Sequence, residues 1–195
     1  MSDRGLCIQQ DIATAAVARS WRPGEFGIFE KASANYSKLV YDFEFNSIDG
    51  NKIKLSNFKN KVLVVVNVAS RCGYTPQYED LQMLWSNYKN KNLVVIGVPT
   101  NNFKQEPGNN KEIKDFCETN FGINFPMTEK INVIGKDAHP FYKWAKKNHG
   151  IAAIPKWNFH KIIIGKNGKV VDTFASFTKP TSDKFLNLVE KEIKN

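Results

Sequence analysis

"VLVVVNVASRCGYTPQYEDL", Val62 to Leu81, decides the fold of this chain. Its first seven residues are mostly β-branched and show no polar alternation, the pattern of a strand buried on both faces. A Cys-Gly pair follows, and then the signals of a helix start. Thr75 is placed to cap, Pro76 to take the first helical position, and Glu79 and Asp80 to lie in the first turn. Tyr78, Leu81, Trp85 and Tyr88 recur at helical spacing. "LVVIGVP", Leu93 to Pro99, repeats the apolar run. Strand, helix and strand make one βαβ unit, with parallel strands and a right-handed crossover.

The flanks extend this unit into a layered fold. Tyr41, Phe43 and Phe45 alternate ahead of "SIDGNKIKL", where Asp49-Gly50 reads as a hairpin turn. Asn109 with Glu112 forms a capping box that opens a helix through Ile113, Phe116 and Cys117. A further helix is expected from Pro140 to His149, stopped by Gly150. "HKIIIGKNGKVVDTF" is a second hairpin, with Ile162 to Ile164 and Val170 to Phe174 flanking Asn167-Gly168. Thr181 or Ser182 then starts a closing helix with Phe185, Leu188, Val189 and Ile193 on its apolar face. This order predicts an α/β, thioredoxin-like fold: a mixed central sheet with helices on both faces and an N-terminal hairpin.

The 195-residue length suits one domain with a sizeable core. Residues 1–35 read as an irregular arm or targeting segment, residues 36–195 as the folded domain. In the arm, Arg4, Arg19, Arg22 and Lys31 balance Asp3, Asp11, Glu25 and Glu30, so the net charge of +9 belongs to the rest. Those four acids and the short apolar window match neither a transit peptide nor a secretory signal. The lysines are scattered and form no nucleic-acid-binding motif, which argues against a nucleic-acid partner. A basic surface is compatible with anionic lipid or an acidic protein partner. Three cysteines, widely spaced, fit neither a disulfide scaffold nor a zinc site. They read as a cytosol-type thiol set, so a cytoplasmic location is expected, or an organelle if residues 1–35 are a targeting remnant.

Cys72 falls between the carboxyl end of a central parallel strand and the amino end of the next helix. Open α/β sheets bind ligands there, and unpaired N–H groups with the helix dipole favour a thiolate. The alternative is a buried, inert cysteine. Thr75 occupies the position where a C-x-x-C motif has its second cysteine, so any disulfide partner must come from elsewhere.

"NVASRCGYT", "QEPG" (Gln105 to Gly108), "DAHPFYKW" (Asp137 to Trp144) and "WNFHK" (Trp157 to Lys161) resemble the glutathione peroxidase family, in the family's order. The resemblance implies reduction of hydrogen peroxide and organic or lipid hydroperoxides by a peroxidatic cysteine, with Cys72 at that position and no metal or organic cofactor. It also implies that Trp157 and Asn158 donate hydrogen bonds at the sulfur. Asn102 stands where the family carries Gln, in a segment about one residue shorter. Its amide sits on a stem one methylene shorter, so the loop moves inward, a water bridges, or the contact is lost. Cys117 lies within about one residue of the family's resolving cysteine, which implies a thioredoxin-type reductant ahead of glutathione. Read from the residues alone, Cys117 is equally a helical cysteine packed beside Phe116 and Phe121. Cys7 matches nothing in the family. Only "NHGIAAIPK" joins the preceding helix to Trp157, without the extra segment of tetrameric members, so a monomer is expected. A second function class stays open: a thiol redox relay that passes oxidation of Cys72 to a client protein.

Overall fold

The computed structural model describes residues 36–195; the arm read from residues 1–35, with Cys7, lies outside the described residues. In chain order the elements are β1 (Glu44–Asn46), β2 (Lys52–Lys54), β3 (Val62–Val68), α1 (Gln77–Tyr88), β4 (Leu93–Pro99), α2 (Asn110–Phe121), α3 (Pro140–His149), β5 (Lys161–Ile164), β6 (Val170–Phe174) and α4 (Asp183–Lys194). The main sheet runs β4-β3-β5-β6, and β1 and β2 form a separate antiparallel pair.

Every residue of β3 and β4 is buried, as their unbroken apolar runs require. The two strands pair in parallel from Val62 opposite Leu93 to Val68 opposite Pro99. β5 adds antiparallel to β3, and β6 antiparallel to β5. Because strand side chains alternate, β3 feeds two cores. Val62, Val64, Val66 and Val68 pack with Tyr78 and Leu81 of α1, Ile113 and Cys117 of α2, and Phe185 and Val189 of α4. Leu63 and Val65 face the opposite way, into Phe141, Tyr142, Trp144 and Ala145 of α3 and Phe45 of β1. This is the mixed sheet with helices on both faces that the sequence predicts. Among the described residues no helix is long and apolar enough to cross a membrane.

The capping box of α2 forms as read, with the Glu112 N–H donating to Asn109 Oδ1 at 3.0 Å and the Asn109 N–H donating to Glu112 Oε2 at 2.8 Å. Gly168 turns the second hairpin at φ 74°, and a Cβ there would stand 2.7 Å from the Tyr41 ring, so glycine is required twice over. Two local readings change. Residues 40–42 form a 3₁₀ turn, which leaves Phe45 as the buried anchor of a strand only three residues long. Thr75 does not cap α1: its hydroxyl reaches back into the loop before the helix, and Pro76 occupies the cap without a side-chain bond.

Candidate active site

At the carboxyl end of β3 the chain leaves the sheet through Ala69 to Pro76, a loop held by its own polar groups. The Cys72 N–H donates to Thr75 Oγ1 at 3.0 Å, and the Thr75 hydroxyl donates onward to the Ala69 carbonyl at 2.9 Å. The Thr75 N–H donates to the Cys72 carbonyl at 3.0 Å, which closes a tight turn around the cysteine. Cys72 is 7% exposed, and its Sγ accepts the Tyr74 N–H at 3.4 Å.

A second segment, from Thr100 to Gly108, braces this loop from the end of β4. The Arg71 N–H donates to the Gln105 carbonyl at 3.0 Å. Ser70 donates to Glu106 Oε2 twice, from N–H at 2.7 Å and from Oγ at 2.8 Å. Glu106 is buried, and burial raises its carboxyl pKa against the opposing pull of the Ser70 bonds and the charges of Lys130 and Arg71. Ser70, Arg71, Glu106, Gly108 and Phe116 line a cavity of about 390 Å³ between the cysteine loop and α2.

The third segment carries Trp157 and Asn158. It is fastened to β3 through Asn67, whose Nδ2 donates to the Trp157 carbonyl at 3.1 Å and whose carbonyl accepts the Phe159 N–H at 2.6 Å. Phe159 adopts φ 62°, an uncommon conformation for a bulky residue, while its ring is fully buried edge-on to Tyr78. The same turn sets Trp157 and Asn158 beside the 100–108 segment. Asn158 is fully buried; its Nδ2 donates to Gln105 Oε1 at 2.8 Å, and its Oδ1 has no partner among the described residues. Trp157 is 43% exposed, and its ring lies 5.4 Å from that of Phe103.

Cys117 sits in α2 with 1% exposure, on the face turned to the same core cluster as Cys72. Burial pushes its thiol up to about 11; the neighbouring Tyr78 hydroxyl favours the thiolate, and the charges of Glu106 and Glu118 oppose it. Tyr78 interacts with the sulfur without the alignment of a directed hydrogen bond. Both described cysteines are free thiols.

Asn102 makes its hydrogen bonds within its own loop and to the 132–134 segment. Its Oδ1 accepts the Thr100 hydroxyl at 3.0 Å and the Val133 N–H at 2.7 Å, and its Nδ2 donates to Asn132 Oδ1 at 3.0 Å. This amide staples the 132–134 segment, with partners at its oxygen and one at its nitrogen. Gln105, Glu106 and the hydroxyl of Thr75 are the parts that residue-by-residue reading missed. "QEPG" was legible as a motif, but nothing in the sequence said which side chains its first two residues would meet.

With this geometry in view, the chain compares as follows. A family model described as "Glutathione peroxidase" matches residues 40–146. The chain is 42% identical over 157 residues to "Hydroperoxy fatty acid reductase gpx1" of Synechocystis, covering 76% of this chain and 93% of that one. It is 44% identical over 147 residues to "Glutathione peroxidase-like peroxiredoxin 2" of Saccharomyces cerevisiae, covering 73% and 90%. Among solved structures, that of T. cruzi GPX1 superposes with TM-score 0.63 at 31% identity, covering 81% of this chain and 98% of that one. A thioredoxin family protein from Chlorobium tepidum superposes with TM-score 0.58 at 15% identity, covering 77% and 92%, which shows the shared fold.

Proposed function

The chain belongs to the glutathione peroxidase family of hydroperoxide-reducing enzymes, and on that footing we propose that Cys72 is its peroxidatic cysteine in a thioredoxin-driven cycle. The observation that carries this reading is the Cys72 sulfur itself. It accepts the Tyr74 N–H in a loop that Thr75 pins from within and Glu106 braces from outside. The thiolate attacks one oxygen of the peroxide bond. An S–O bond forms, the O–O bond breaks, and the departing oxygen takes a proton to leave as water or an alcohol. Trp157 and Asn158 supply N–H groups for that departing oxygen.

Cys117 then displaces water from the Cys72 sulfenic acid to give a disulfide. A thioredoxin-type dithiol reduces the disulfide by exchange, its own sulfurs becoming oxidised. The peroxiredoxin-like yeast relative supports this reductant over glutathione, and the cyanobacterial relative supports fatty-acid hydroperoxides among the substrates. The basic surface fits peripheral contact with anionic lipid, the short connection before Trp157 fits a monomer, and two free thiols fit a cytoplasmic setting. The test is Cys72→Ser, which abolishes peroxide consumption while leaving the fold intact by circular dichroism. Undiminished consumption in that variant overturns the assignment.

A further inference from the structure

We propose that Gln105 is a positioning residue for peroxide attack at Cys72, acting through Asn158. The inference rests on the peroxidase reading above and adds a residue to it. The Asn158 side chain is fully buried, yet its one hydrogen bond is to Gln105 Oε1, and its Oδ1 is left without a partner among the described residues. Rotation about the last bond of an Asn side chain is soft, so an amide held at one atom owes its orientation to that contact. Gln105 accepts from Nδ2, which leaves the second Nδ2 hydrogen as the one Asn158 can offer to a reacting oxygen.

Gln105 is itself anchored through its backbone and through its neighbour. Its carbonyl accepts the Arg71 N–H, one residue before the peroxidatic cysteine, and the adjoining Glu106 clamps Ser70. One residue therefore links the cysteine loop to the Trp157–Asn158 segment. Asn102 does not take this place: its oxygen accepts from Val133 and its nitrogen donates to Asn132. One amide of this loop, Asn102, serves as scaffolding, while Gln105 reaches Asn158.

The test uses the full-length chain and the single-turnover rate of Cys72 oxidation by hydrogen peroxide, read by thiol trapping and mass spectrometry. Rates are measured for wild type, Gln105→Met, Asn158→Ala and the double variant. Met keeps the length and the backbone carbonyl but removes the amide. The expected result is a loss of roughly ten- to a hundred-fold in Gln105→Met, the size expected when a reacting group is misplaced. In the Asn158→Ala background the same change costs no more than about twofold, because the partner it acts through is gone. Alkylation of Cys72 by iodoacetamide, which has no peroxide oxygen to protonate, stays within about twofold of wild type in Gln105→Met. Gln105→Asn, which withdraws the amide by one methylene, serves if the Met variant does not fold, with the same loss expected. A peroxide rate within twofold of wild type, or an equal fractional loss in both backgrounds, overturns the inference. Wild type that does not react with peroxide at all overturns the peroxidase reading instead.

Discussion

Two buried cysteines in different surroundings stand at the centre of the chemistry. The Cys72 sulfur accepts the Tyr74 N–H in the loop before α1, whereas Cys117 is sealed in a core that pushes its thiol up to about 11. Thr75 is the residue that keeps the first of these in place, since its hydroxyl both accepts from the Cys72 N–H and donates to the Ala69 carbonyl. Thr75→Val keeps the shape and leaves that buried N–H and carbonyl unpaired. It should cost about 1–3 kcal/mol in urea unfolding and slow Cys72 oxidation. Unchanged stability would mean that the loop is held by something else. The sequence signalled the importance of position 75 but assigned it the wrong task. A cap and a loop pin use the same hydroxyl, and only the path of the backbone decides between them. For the same reason Asn102 could be matched to the family while its hydrogen bonds, which depend on the path of its loop, could not be read.

At the scale of elements, α2 is the part on which the cycle turns. Its capping box was written plainly in "NNKEIKDFCETN", because it depends on local sequence. The β-strands were legible for the same reason, their apolar runs being long and uniform. β1 was overextended because aromatic alternation at Tyr41 and Phe43 looks the same in a strand and in a 3₁₀ turn. Within α2 only Ile113 and Cys117 are buried, so few contacts hold the helix to the core. Local opening of a segment with few buried contacts is inexpensive, and it would bring Cys117 out to meet an oxidised Cys72. In Cys117→Ser, the first oxidation by peroxide should proceed at the wild-type rate while thioredoxin-driven turnover collapses. Cys72 sulfenic acid should then accumulate and advance to sulfinic acid in excess peroxide, as read by intact-mass spectrometry. Normal turnover in that variant would make Cys117 a structural cysteine.

The whole molecule carries a pH dependence that its net charge does not reveal. His160 and Lys161 follow Trp157, Asn158 and Phe159 into the sheet, and burial lowers both pKa values, to about 4 and about 7. Lys161 is fully buried with its ammonium against Gln77, Ser176 and Thr178, which ties β5 to the start of α1. The folded state holds His160 neutral, while the unfolded chain takes up a proton below the ordinary value of 6.5. Stability from this residue is therefore complete above about pH 6.5 and is lost as pH falls toward 4, by on the order of 3 kcal/mol. His160→Gln should flatten the dependence of Tm on pH across that window; an unaltered slope would place the acid sensitivity elsewhere.

The proposed cycle begins with peroxide at Cys72 and ends at a dithiol protein. The direct measurement is steady-state hydroperoxide consumption by the wild-type chain, with a thioredoxin system and with glutathione side by side, and by Cys72→Ser under both conditions. The expected result is sustained turnover with thioredoxin, much slower turnover with glutathione, and none in Cys72→Ser. Turnover that persists without Cys72, or a single oxidation of Cys72 that ends in a stable mixed disulfide with a client and no turnover, would contradict it.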